Sequence, residues 1–186
     1  MAVHPHDILL TAEQFLEIEF PPGIKAELDN GVIRMMGGGT VAHARVQMNL
    51  YGFLRGALRG SGCRPFGSDM GVRTHDGSVR YPDLSINCDS VSGIDDDDQA
   101  LAAPRVVFEV LSSTTRRADR GVKLDEYRGL ESVELIVLVD PVTERLRELR
   151  RTGPHAWDDR DHHEPYDLEM LSLGLVVPHT EIFARD

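Results

Sequence analysis

The sequence predicts an α/β or α+β domain, a mixed β-sheet flanked by helices, and three observations lead there. RVVFEVLS (105–112) and VELIVLVDP (133–141) are near-continuous apolar runs of strand length, as expected when both faces of a strand are covered. The residues between them carry helical spacing, so the two strands would run parallel if that helix is a right-handed crossover. A long amphipathic stretch, 40–59, supplies a second helix on the N-terminal side.

Element by element, Thr11 with Gln14 predicts a capping box at the start of TAEQFLEIE. KAELDNGVIRMM reads as a hairpin about Asn30-Gly31. After the break at Gly37–Gly39, Thr40 opens a helix to about Arg59 with Val46, Leu50, Phe53, Leu54 and Ala57 near one stripe, and Gly60-Ser-Gly ends it. Strands over 63–74 and 78–88 flank Asp76-Gly77, and SGIDDDDQALAA reads as an acidic loop. Thr114 or Thr115 caps a helix reaching Arg128 and closed by Gly129. TERLRELRR reads as an edge strand, followed by a polar loop with Trp157, His155, His162 and His163. YDLEMLSLGLVV and HTEIF close what reads as one domain over 1–186.

The bulk composition narrows the function. Lys and Arg number 20 against 31 Asp and Glu, a net charge of −11, which argues against a protein that coats nucleic acid. It leaves room for a nuclease, because the field of a cleft can differ from the overall sign and bound cations add local positive charge. No apolar run approaches the roughly 18 residues a membrane helix needs. MAVHPHDILL lacks the basic-then-apolar order of a secretory signal, and two cysteines are too few for a disulfide framework. These features point to a cytoplasmic location.

Chemistry concentrates around Glu109, a carboxylate inside an apolar strand, which is costly to desolvate unless a partner or a metal meets it. Asp83, in YPDLSIN, interrupts a second strand-like pattern. Downstream, Asp119, Lys123 and Tyr127 recur at i, i+4, i+8 and share a helix face. Two carboxylates meeting near one lysine would hold a hard divalent cation and stabilise a developing oxyanion. Taken singly, a Pro-Asp dipeptide is usually a turn and a helical Asp-Lys pair usually solvated. The order Pro-Asp, strand Glu, helix Lys is much rarer. His155, His162 and His163 among aspartates match no zinc-ligand spacing, and Asp95–Asp98 lack the other positions of a calcium loop. Arg116, Arg117 and Arg120 are candidates for phosphate contact.

AELDNGVIRMM, a helix carrying His43, YPDLSIN, VVFEVLSSTT, the D-x3-K-x3-Y spacing and VLVDP together resemble the Uma-type putative restriction-endonuclease family of the PD-(D/E)xK nuclease superfamily. The resemblance runs from about Thr11 to Pro141. It implies a restriction-endonuclease-like core and a metal-dependent nuclease acting on nucleic acid, DNA in the first place, with Mg²⁺ or Mn²⁺. Carried over by position, Asp83, Glu109 and the backbone carbonyl of Val110 would hold the metal, and Asp83, Glu109 and Lys123 would be catalytic. Glu27, His43, Asp119 and Tyr127 would support them. The superfamily's usual lysine would fall at 111, which is Leu; the resembling family instead places it at Lys123. Ile136 stands where relatives tend to show Trp. The resemblance also suggests a homodimer, for which TERLRELRR would offer a strand edge. The competing reading is a catalytically silent interaction or assembly module that keeps the nuclease fold.

Overall fold

The computed structural model describes residues 9–88, 94–112 and 121–185. Helix α1 (Ala12–Leu16) is capped by Thr11 and Gln14 in the reciprocal box the sequence predicts. Strands β1 (Ala26–Asp29) and β2 (Val32–Met35) form an antiparallel hairpin. Its turn needs φ of 47° at Asn30 and 81° at Gly31, values open to Asn and Gly and strained for most other residues.

Helix α2 (Val41–Ala57) begins at the Thr40 cap and buries Val46, Leu50 and Leu54. Phe53 is half-buried against the same core, whereas Ala57 is exposed and Leu58 takes the buried place beyond it. The stripe therefore ends one residue later than the helical spacing suggests.

The expected long strands over 63–74 and 78–88 are each divided. Strands β3 (Cys63–Gly67), β4 (Gly71–Arg73), β5 (Val79–Arg80) and β6 (Leu84–Cys88) belong to two different sheets. A turn at Gly67–Met70 separates the first pair, and Pro82, lacking an N–H, sits in the gap of the second. The acidic segment contains a further short strand, β7 (Ala100–Leu101), parallel to β4. Gly71 makes that approach feasible: a Cβ there would stand 3.1 Å from both Ala100 Cβ and Val79 Cγ1.

Strand β8 (Val106–Val110) is buried throughout and runs parallel to β9 (Leu135–Asp140). Between them lies α3 (Val122–Arg128), ended at Gly129; Thr114 and Thr115, the expected caps, lie outside the described residues. Strand β10 (Arg145–Gly153) is not an edge. It pairs with β9 on one side and with β11 (Ala156–His162) on the other. The segment expected as a polar loop is thus the outer strand of the sheet. Its hydrophilicity comes from charge facing charge across the register, with Arg147 opposite Asp161, Glu148 opposite Arg160 and Arg150 opposite Asp158. Strands β12 (Leu168–Met170) and β13 (Leu175–Val177) form a last hairpin before α4 (His179–Ile182).

Besides the β12-β13 pair, two larger sheets form among the described residues: β11-β10-β9-β8-β6-β3, in which β8 and β9 alone are parallel neighbours, and β2-β1-β5-β4-β7. Helix α2 covers one face of the first through Leu84, Ile86, Phe108, Val137 and Val139. Helix α3 covers the other, where Leu124 and Tyr127 meet Val107, Ile136 and Leu138. Ile136 is fully buried in this layer, so the position is a packing site. Cys63 and Cys88 face each other across β3 and β6 and form a disulfide, one bridge that the cysteine count alone did not anticipate. Among the described residues no helix is long and apolar enough to cross a membrane.

Candidate active site at the mouth of strands β6 and β8

The register of β6 and β8 places Leu84 opposite Phe108, so Asp83, one step before, lies beside Glu109, one step after. Glu109, next to Phe108 in β8, points to the face opposite Phe108, and Asp83, in the bend just before β6, stands at the same cleft. Asp83 is fixed on three sides. Its Oδ2 accepts the Val110 N–H at 2.7 Å, its Oδ1 lies 3.1 Å from His43 Nε2, and its carbonyl accepts from Gln47 Nε2 at 2.8 Å. His43 and Gln47 are one helical turn apart on α2, so a single helix face holds the aspartate from above.

Glu109 is only 3% exposed, and its partners come from α3. The Tyr127 hydroxyl donates to Oε1 at 2.8 Å, and Lys123 Nζ stands 3.5 Å from the same oxygen. Burial and then the adjacent Glu109 charge push the Tyr127 phenol well above its ordinary pKa, so it remains a donor at any physiological pH. Lys123 Nζ also lies 3.3 Å from Glu27 Oε2, which β1 brings in from the other sheet. The ammonium therefore bridges two carboxylates that belong to different layers.

Behind this triad is a residue that the motifs did not single out. Arg80, 3% exposed, donates to Glu126 from Nε and Nη2 at 2.6 Å each, to Asp29 Oδ1 at 2.8 Å and to Glu27 Oε1 at 3.2 Å. Burial opposes its charge, but the Glu126 hydrogen bonds and the Glu126 and Glu27 charges outweigh that and raise its pKa. For Glu126 the balance falls the other way: desolvation raises its pKa despite Arg80. The signal for this network was weak, an Arg at the end of a two-residue strand and a Glu beside the motif's tyrosine.

Asp83, Glu109, Lys123 and His43 line one cleft of about 300 Å³, together with Lys25 and Ser112 and under the Gly37–Gly39 loop. Glu27 and Tyr127 support it from behind, and Asp119 lies outside the described residues, as do Arg116, Arg117 and Arg120. Two buried cations, Arg80 and Lys123, stand among Glu27, Asp29, Glu109 and Glu126, and Asp83 shares the cleft with Lys123, leaving the cluster rich in negative charge. Among the described residues no three His, Cys, Asp or Glu side chains converge as a metal-holding group. The donor set at the cleft is thus two carboxylates, Asp83 and Glu109. That suits Mg²⁺ or Mn²⁺, which keep several waters and use substrate phosphate as ligands, and not an all-protein zinc or calcium cage.

Among the described residues, the other histidines and the acidic loop form no second metal-holding group. His162 stacks on Tyr166 with ring centroids 3.6 Å apart, and Asp98 Oδ2 accepts the Asp95 N–H at 2.9 Å in an exposed turn.

Comparison with known proteins bears on the fold and the family. Two proteins of Synechocystis sp., Uncharacterized protein sll1609 and Uncharacterized protein slr1290, are 26% and 27% identical to the chain. The alignments span 80% and 89% of this chain, and 85% and 87% of theirs. The fold matches the crystal structure of a putative nuclease belonging to DUF820 from Anabaena variabilis with a TM-score of 0.73 at 18% identity, covering 94% of this chain and 98% of that one. Residues 12–180 match the pattern of the Uma2 family, described as "Putative restriction endonuclease", and the chain belongs to that family.

Proposed function

We propose that the protein is a metal-dependent nuclease that hydrolyses phosphodiester bonds, with DNA as its substrate. The observation that carries this reading is the meeting of Asp83, Glu109 and Lys123 in one cleft although three separate elements supply them. Asp83, Glu109 and the Val110 carbonyl are the groups that would hold Mg²⁺ or Mn²⁺. When bound, such an ion polarises a phosphoryl oxygen and lowers the pKa of a water molecule.

The chain's own residues do the rest. His43 and the Val110 N–H keep Asp83 aimed into the cleft, and Tyr127 does the same for Glu109. Lys123 presents an ammonium where negative charge grows on the phosphorus oxygens, and charge stabilisation of this kind is commonly the largest contribution to such reactions. Leu111 is no obstacle, because the lysine arrives from α3 rather than from β8.

The test is cleavage of single- and double-stranded DNA and RNA with Mn²⁺, by wild type, Asp83→Asn and Lys123→Ala. Asp83→Asn keeps the shape and removes a charge, so both cleavage and Mn²⁺-induced thermal stabilisation should disappear. Lys123→Ala should lose cleavage but keep the stabilisation. Cleavage that survives in both variants would remove this site from consideration. A wild type that is neither stabilised nor active would favour the silent module. A homodimer belongs to the same proposal, and light scattering should then give twice 20.7 kDa. Its contact would have to lie away from β10, whose two edges are already paired.

A further inference from the structure

Beside the cleft lies a second hollow of about 170 Å³ that shares Lys25, Met36, Ser68 and Tyr81 with it. Leu16, Ile18, Phe20 and Ile24 add apolar surface to it, and Phe15, itself buried, packs against Phe20 with the two phenyl rings tilted 54° to one another at 5.8 Å. Ser68, Asp69 and Gln99 supply polar groups among these apolar walls, and the Lys25–Asp69 ion pair, exposed to water, stands at the junction of the two spaces. A hollow with apolar and aromatic walls and a few hydrogen-bonding groups suits a planar heterocycle with polar edges.

We propose that this recess receives one unstacked nucleobase of the strand whose phosphate occupies the Asp83–Glu109 cleft, so that the protein acts on single-stranded or locally opened DNA. The proposal rests on the nuclease reading and adds its substrate class. Base and phosphate of one strand are covalent neighbours, so two hollows that share a wall can be filled by neighbouring parts of one chain. In an intact duplex the bases are stacked inside the helix and cannot enter a recess beside the backbone. The net charge of −11 points the same way. Attraction to a dense double row of phosphates is the main source of non-specific duplex affinity, and this chain is poorly equipped for it. Stacking in an apolar recess supplies affinity that does not depend on phosphate neutralisation.

The test is fluorescence anisotropy in EDTA, where no cleavage occurs, with a short single-stranded DNA, its duplex, and a set of the same strands carrying one abasic site at each position in turn. Wild type should bind the single strand more tightly than the duplex, and one abasic position should weaken binding by about tenfold. Ile24→Glu, at a rim position 40% exposed, should remove that position's effect, and the milder Ile24→Ala should move it in the same direction. Equal affinity at every abasic position, or duplex bound as tightly as single strand, overturns the recess. Cleavage with Mn²⁺ but without an abasic effect overturns the recess alone. An abasic effect without any cleavage retains the recess and removes the hydrolytic reading, and no binding to any strand in EDTA removes the recess, with cleavage in Mn²⁺ then deciding the nuclease reading.

Discussion

Arg80 grips Glu126 through two nitrogens at 2.6 Å each, with both side chains only 4% exposed. The pair ties β5 of one sheet to α3, the helix that carries Lys123 and Tyr127. Arg80→Ala would leave Glu126 buried without its cation and should cost about 3–5 kcal/mol of stability, as breaking buried pairs usually does. Arg80→Lys should recover less than half, because one ammonium cannot replace a fork that reaches three carboxylates. Denaturant unfolding measures both, and a midpoint for Arg80→Ala equal to wild type would contradict this account.

Tyr127→Phe tests how much Glu109 depends on its hydroxyl partner. The ring stays in the core, so the fold should survive, with a loss of about 1–3 kcal/mol for the glutamate oxygen left short of a donor. If the protein is the metal-dependent nuclease proposed above, Tyr127 orients a metal-binding carboxylate, and since such groups typically matter about 10–100-fold, Mn²⁺-dependent cleavage should fall by that factor. Unchanged cleavage would mean that the remaining partners of Glu109, Lys123 among them, hold it well enough.

Acid sensitivity should arise partly at the outer strand. The Arg147 guanidinium, hydrogen-bonded to both Asp159 oxygens at 2.8 and 2.7 Å, holds that carboxyl below its ordinary pKa despite partial burial. A depressed folded pKa means that the pair's contribution is complete above the unfolded value of about 3.9. It is lost as pH falls through the folded value. Asp159→Asn should therefore be less stable than wild type at pH 6, and the gap should close as pH falls below about 4. A gap that stays constant across that range, measured by urea unfolding, would show that the charge plays no part.

The Cys63–Cys88 bridge closes a loop with a sequence separation of 25 and should contribute about 3 kcal/mol by restricting the unfolded chain. Thermal unfolding with and without dithiothreitol should differ by roughly 10 °C for a chain of this size. No difference, with the thiols shown by alkylation to have been oxidised beforehand, would contradict it. Reducing compartments disfavour such bridges, so the cytoplasmic location expected from composition would imply a chain that works with the bridge open.

What could be read in advance followed local rules. The Thr11 and Thr40 caps, the Asn30-Gly31 turn and the apolar strands at Glu109 and Leu135–Asp140 each depend on neighbouring residues, and the structure has them all. The errors fell where long-range pairing decides. AWDDRDH has no apolar alternation because its stabilising partners are charges on β10, so it looked like a loop. The segments 63–74 and 78–88 were divided by sheet membership, which no local pattern records. At the site, Asp83, Glu109 and Lys123 were visible as motif positions. Arg80 was not, since its importance comes from carboxylates on β1 and α3 that only the folded chain brings to it.

Glu27 reaches Lys123 from the five-stranded sheet, whereas Glu109 reaches it from the six-stranded one. The Glu27–Lys123 contact joins residues far apart in the chain, and contacts of that kind form late because loop closure must precede them. An intermediate with the larger sheet complete and the first hairpin undocked would hold Glu109 and Lys123 without Glu27. The hairpin is also bordered by the exposed strand β2, which suits it to be among the first parts to open in native-state fluctuations. The complete arrangement around the lysine is therefore a property of the finished molecule, absent from the partly folded chain and lost first when the molecule begins to open.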